Sequence, residues 1–283
     1  MLIRFGYEIT VSCPQETPMI AMMTPREEFR EDIQTTTGLV IQPSVRATAY
    51  HDQFGNICHR FTAPAGLITL SSDSLIWSDG VPEPAFPDAG EVPVTDLPSE
   101  VLTYLLGSRY CETDKLSQIA WDLFGHLPPG WGRVQAICDW VNGHIRFDYQ
   151  MARATRTAFE AWQEQTGVCR DFAHLAITFC RCLNIPARYA NAYLGDIGVP
   201  PVDAPMDFAA SIEVYLEGGW HSFDPRNNQR RIGRIVVAHG HDAGDVPLIH
   251  SFGQHVLQSF RVWTDEAPEV AEPTRLSALA GRA

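Results

Sequence analysis

Between Gly167 and Pro186 the chain has few ways to fold. The stretch Gly167-Val-Cys-Arg-Asp-Phe-Ala-His-Leu175 passes from a glycine turn into apolar residues (Phe172, Leu175, Ala176, Phe179, Leu183) at helical spacing, and Asn184-Ile-Pro186 stops the run. The pattern predicts a buried helix over Cys169–Leu183 with a thiol in its first turn. Unpaired amide hydrogens and the positive end of the helix dipole favour thiolate there. The expected thiol therefore titrates below the ordinary value of ~8.5. Cys169 is a candidate nucleophile.

The flanks suit that reading. Residues 1–78 carry short mixed segments broken by Gly and Pro, predicting strands at Leu2–Val11, Met19–Thr24, Val45–Tyr50, Ile57–Phe61 and Leu67–Ile76, folded as an antiparallel β-sandwich domain. Asp52-Gln-Phe-Gly-Asn56 reads as a hairpin turn between two of them. Residues 79–98 hold Pro82, Pro84, Pro87, Pro93 and Pro98 among several acids and read as a linker. Helix dominates residues 99–184, with Ser99, Thr113 and Thr157 as N-caps and an apolar stripe along Val134–Val141. Strands return at Arg188–Tyr193, Ser211–Leu216, Trp220–Phe223, Ile232–Ala238 and Val256–Trp263, and Gly218-Gly219 closes a tight hairpin. The second domain is thus expected over 99–265, with a tail at 266–283. A cysteine-bearing helix followed by antiparallel strands is an α+β layout, in which the helix tip presents a nucleophile and facing strands present a base and an orienting acid.

Composition narrows the partners. A net charge of −13 disfavours phosphate-rich nucleic acid and anionic membrane surfaces. No apolar run approaches the ~20 residues that span a bilayer, and the first residues lack a signal-peptide core. Seven cysteines without a framework spacing read as reduced thiols, so the cytoplasm is the expected location. Nothing calls for a cofactor. Cys180 and Cys182 point about 200° apart on a helix and do not suggest a metal pair.

At this point the residues resemble the bacterial transglutaminase-like superfamily, a group of cysteine proteases and their relatives. Gly167–Leu175 followed by Asn184-Ile-Pro-Ala-Arg-Tyr189 is similar to the family's nucleophile helix and next strand. Glu213-Val-Tyr-Leu-Glu-Gly-Gly-Trp-His-Ser-Phe-Asp-Pro225 is similar to the hairpin that carries its base and acid. Ile232–Val246 resembles a downstream segment that usually reads G-R-D-x-x-D-V, and the β-rich start resembles a domain often fused to these proteins. The likeness extends to about Trp263. It implies a papain-like Cys-His-Asp site, with Cys169 matching the nucleophile and Asp224 the acid that orients the histidine. The family pattern His-Ala-Trp-x-Glu-x-Tyr, aligned on Glu213 and Tyr215, puts Ala209 at the base position and Ser211 at the tryptophan.

Amide cleavage needs a proton for the leaving amine as well as a nucleophile, so the other histidines matter. His221 lies three residues before Asp224, on the opposite face of a regular strand. His174 lies about 140° around the helix from Cys169. The loop His239-Gly-His-Asp-Ala-Gly-Asp245 is expected to approach the site, with His241 and Asp242 as candidate binding residues and His174 as a donor behind the nucleophile. The same loop has ligand types that suit a divalent ion, although consecutive residues of this kind ordinarily make turns. Asp171, Arg170 and Arg188 read as an ion-pair network, and Trp140 and Tyr149, which precede the cysteine helix, as core or as the lining of a cleft. The resemblance implies an amidohydrolase or peptidase working through a thioester at Cys169 on a peptide or protein substrate. The alternative is a catalytically silent domain that binds a peptide or protein in the retained cleft. The oligomeric state stays open.

Overall fold

Alternation along the first strand sets the architecture. In β1 (Leu2–Cys13), Ile3, Phe5, Tyr7, Ile9, Val11 and Cys13 are all buried, the period-2 pattern of a strand with one face in a core. The structure, a computed structural model, describes residues 1–202 and 206–268. β2 (Thr17–Ala21), β3 (Ile33–Thr36), β4 (Val40–Gln42), β5 (Thr48–His51), β6 (Ile57–Ala63) and β7 (Gly66–Trp77) complete the N-terminal half. Then come α1 (Thr113–Phe124), α2 (Trp131–His144), β8 (Arg146–Phe147), α3 (Ala158–Glu164), β9 (Thr166–Gly167) and α4 (Cys169–Cys182). β10 (Ala187–Tyr193), β11 (Ala209–Leu216), β12 (Gly219–Phe223), β13 (Ile235–Gly240), β14 (Ile249–Ser251) and β15 (Val256–Ala267) follow.

Two sheets, β15-β1-β7-β3 with β4 also on β7, and β14-β2-β6-β5, form the N-terminal sandwich. A third antiparallel sheet, β12-β11-β10-β13, packs against α4. Helices α1, α2 and α3 pack around α4, so that all twelve residues from Asp171 to Cys182 are buried. The mixed α+β class expected from the sequence is the one observed. The Asp52 turn joins β5 to β6, with Asp52 Oδ1 accepting from the N–H groups of Phe54 and Asn56 and Gly55 at φ 74°. Thr157 caps α3 through a reciprocal capping box with Glu160.

Two expectations need correction. The strand at 256–263 does not belong to the second domain: β15 pairs antiparallel with β1 from Leu2↔Ala267 to Ser12↔Val256, and β14 pairs with β2, so the sandwich is built from both ends of the described chain. The period-2 signal located β15 but carried no information about its partner. The tail expected at 266–283 is strand to Ala267, and its remainder from 269 lies outside the described residues. The segment 79–98 is a strap rather than a free linker. Glu83 bonds Arg234 and Ser222, Phe86 packs on His221 and Trp131, and Glu91 bonds Arg133 and the Gly130 N–H. Its prolines forbid a ladder, but they leave its side chains free to dock.

Candidate functional site

A short parallel pairing of β8 with β9 brings Phe147 beside Gly167, and the Asp148 N–H donates to the Gly167 carbonyl at 2.9 Å. Two residues on, α4 begins at Cys169. The first turn is clamped by Asp171, whose Oδ2 accepts from the Val168 N–H at 2.9 Å and from Arg156 Nη1 at 3.0 Å. A side chain at Gly167 would place its Cβ 2.5 Å from that same carboxylate oxygen, so only glycine leaves room for the clamp. Arg156 also bonds Glu164 Oε2 at 3.0 Å and the Met151 carbonyl at 2.7 Å. Arg188 pairs instead with Glu213, so the charged residues form two networks rather than one.

Cys169 is half-buried and opens onto a cavity of about 280 Å³ shared with Tyr149, Asp207, Ala209, Ala210 and Arg226. Ala209 and Ala210 arrive as the first residues of β11, held to Ala192 and Asn191 of β10. Arg226 and Asn227 follow β12 through the Asp224-Pro225 turn. The thiol does not behave as its place at a helix tip predicts. Burial raises it above the ordinary value and the Asp207 charge adds to this, outweighing the lowering by the Ala210 and Arg170 N–H groups. The thiol form therefore dominates near neutral pH.

Asp224 is almost wholly enclosed. Its Oδ2 accepts from Arg234 Nη2 at 2.7 Å and from Asn227 Nδ2 at 2.8 Å, and its Oδ1 accepts from the Asn227 N–H at 2.8 Å. Burial pushes this carboxyl up, but the Arg234 guanidinium and Asn227 outweigh it and hold it below the ordinary range. Both oxygens are engaged, and the residue that relays the turn to the cleft is Asn227.

The remaining candidates lie elsewhere. His174 is stacked on Tyr110 with ring centroids 5.0 Å apart, and its Nε2 accepts from the Ala243 N–H at 3.1 Å; burial keeps it neutral. Asp242 accepts from the N–H groups of Tyr110 and Gly244, and His241 bonds Thr103 and Asp245. These three are brought near one another through Tyr110 and the 241–245 loop, but none of them lines the Cys169 cavity. His239 faces Glu213 at 3.0 Å, apart from the His241–Asp245 pair and from Asp242. Among the described residues no group of three or more His, Cys, Asp or Glu side chains is placed to hold a metal ion. His221 bonds the Glu217 carbonyl. All ten histidines fall among the described residues, and none lines the cavity. Tyr149, read as core or cleft lining, is 49% exposed at the cavity. Asp207 and Arg226 were not singled out from the sequence, although both stand within two residues of the matched base and acid positions.

A buried helix with a thiol at its tip, set against an antiparallel sheet whose second strand opens beside that thiol, defines a papain-like cysteine fold. Residues 119–225 match the model of the transglutaminase-like superfamily. It is 27% identical to a crystal structure described as "a putative cysteine protease" from Cytophaga hutchinsonii, with a TM-score of 0.80 over 94% of this chain and 90% of that one. It is 24% identical over 241 residues to the uncharacterized protein ML0607 of Mycobacterium leprae, covering 80% of this chain and 82% of that protein. It is 29% identical over 249 residues to the uncharacterized protein Rv2569c of Mycobacterium tuberculosis, covering 80% and 78%. No described helix is long and apolar enough to cross a membrane.

Proposed function

We propose that this chain binds an extended peptide or protein segment in the cleft beside Cys169 and does so without base-assisted thioester chemistry. One observation carries the reading: Ala209 lines the cavity at the position matched to the family's base, and no imidazole lines it from anywhere else in the chain. A triad stripped of its base keeps its binding walls but loses several orders of magnitude in rate. Asp224, saturated by Arg234 and Asn227, is suited to holding the turn under the cleft. The cytoplasm remains the proposed location, supported by seven cysteines that are all unbonded.

The second reading is hydrolysis of an amide or peptide through a thioester at Cys169. It is favoured by the retained thiol in an open cavity with the N–H groups of Ala210 and Arg170 beside it, which suit a developing oxyanion. One experiment separates the two. The native chain, Cys169→Ser and the double substitution Ala209→His with Ser211→Trp are assayed against a peptide library for both binding and cleavage. Binding without cleavage by the native chain, with cleavage gained by about 10²-fold or more in the double variant, is the expected result. Cleavage by the native chain that disappears in Cys169→Ser selects the second reading.

A further inference from the structure

We infer that Arg226 is a carboxylate-reading residue of the Cys169 cleft, so that the segment bound there presents an acid next to the position facing the thiol. The inference rests on the reading of this cavity as a peptide-binding groove and adds the chemistry of what it takes. A guanidinium has five N–H donors in a planar fork that matches a carboxylate. Arg226 spends one, from Nη1 to Asn227 Oδ1. Among the described residues no carboxylate lies within ion-pair distance of it. This runs against the composition, since 34 acids face 21 bases. Of the other arginines enclosed around the domain, five pair with acids, Arg133 with Glu91, Arg156 with Asp171, Arg188 with Glu213, Arg234 with Asp224 and, in the same cavity, Arg231 with Asp196, while Arg181 is spent on backbone carbonyls.

Arg226 is also held ready. Its guanidinium carbon lies 4.3 Å from the centroid of the Phe147 ring, a cation–π stack that leaves the edge of the fork free. The Pro225 and Arg226 carbonyls both accept from Asn142 Nδ2, at 3.1 and 2.8 Å, which fixes the backbone. Tyr149, Cys169, Asp207 and Arg226 line one cavity, so the fork and the thiol face the same space. A preorganised, unpaired cation across that space from a thiol recognises an anion at little ordering cost.

Two isosteric alkylating probes test this directly. Iodoacetate carries a carboxylate where iodoacetamide carries a neutral amide; in both, the cysteine sulfur forms a bond to the methylene carbon, iodide leaves as the free ion, and the thiol proton passes to buffer. Their rates at Cys169 are followed by mass spectrometry of its peptide, the other six cysteines being buried, and their ratio is divided by the ratio for N-acetylcysteine. The expected result is a preference for iodoacetate of about tenfold or more, lost in Arg226→Gln and partly kept in Arg226→Lys, with thermal melts establishing that each variant is folded. A ratio equal to that of N-acetylcysteine, or one that survives Arg226→Gln, overturns the proposal. Protection of Cys169 by N-acetylglutamate amide assigns the carboxylate to an acidic side chain, and protection by N-acetylglycine to a chain end. Equal protection by neutral N-acetylglutamine amide, or none by either acid, also overturns it. A library that fails to bind while the iodoacetate preference holds sinks the groove reading alone.

Discussion

At the scale of single residues, the site turns on one sulfur whose position follows from local sequence and whose charge does not. Gly167, Cys169 and Asp171 are close in the chain, and a glycine turn before an apolar helical run predicts their geometry. Asp207 and Ala210 reach the sulfur from around the start of β11, some forty residues on, and the enclosure that desolvates it comes from segments far apart in the chain. The sign of the thiol's shift was therefore not legible, whereas its place at the helix tip was. The missing imidazole was visible at Ala209, but only coordinates reveal that no other histidine takes its place. Iodoacetamide labelling of Cys169 is expected to keep accelerating with pH past the ordinary midpoint of ~8.5. A plateau reached near neutrality would mean that the helix dipole wins over burial and Asp207.

At the scale of elements, α4 and the strap explain why the cleft keeps its shape. α4 is buried from Asp171 onward, where a long charged side chain is costly unless it finds partners. Arg181 does so by donating to the carbonyls of Ala187, Leu106 and His241, tying the far end of the helix to three segments. Strong periodicity made α4, β10, β11 and β12 readable in advance. The strap was not, because its proline-rich sequence has no periodicity and its docking depends on Arg234 and Trp131, far away in the chain. Glu83 and Asp224 hold Arg234 between them, at 2.6 and 2.7 Å. Glu83→Ala is expected to cost about 1–3 kcal/mol, read as a lower urea midpoint, and to open residues 79–98 to limited proteolysis. A strap that stays protected in this variant would show that Phe86 and Glu91 suffice.

At the scale of the whole molecule, buried histidines make stability depend on acid. Burial keeps His59, His174 and His239 below their ordinary midpoint of ~6.5. The unfolded chain then takes up protons first as the pH falls, and stability drops below pH ~6.5, by at most ~1.4 kcal/mol per pH unit for each histidine. Glu213, raised by burial but pulled down to about 2 by His239 and Arg188, adds a further loss in stronger acid as its carboxylate is protonated. Urea midpoints between pH ~7 and ~5 are expected to fall steadily; a flat profile would mean that these imidazoles reach solvent.

The pairing of β1 with β15 bears on how the chain is born. A ribosome releases β1 early and β15 only after some two hundred and fifty residues more (register Leu2↔Ala267). Throughout that interval one side of β1 offers unsatisfied amides and carbonyls to any passing strand, and the closing contact spans nearly the whole polypeptide, which makes it a slow one to form. Until β15 emerges, whatever shields that side of β1 keeps the nascent chain from pairing elsewhere.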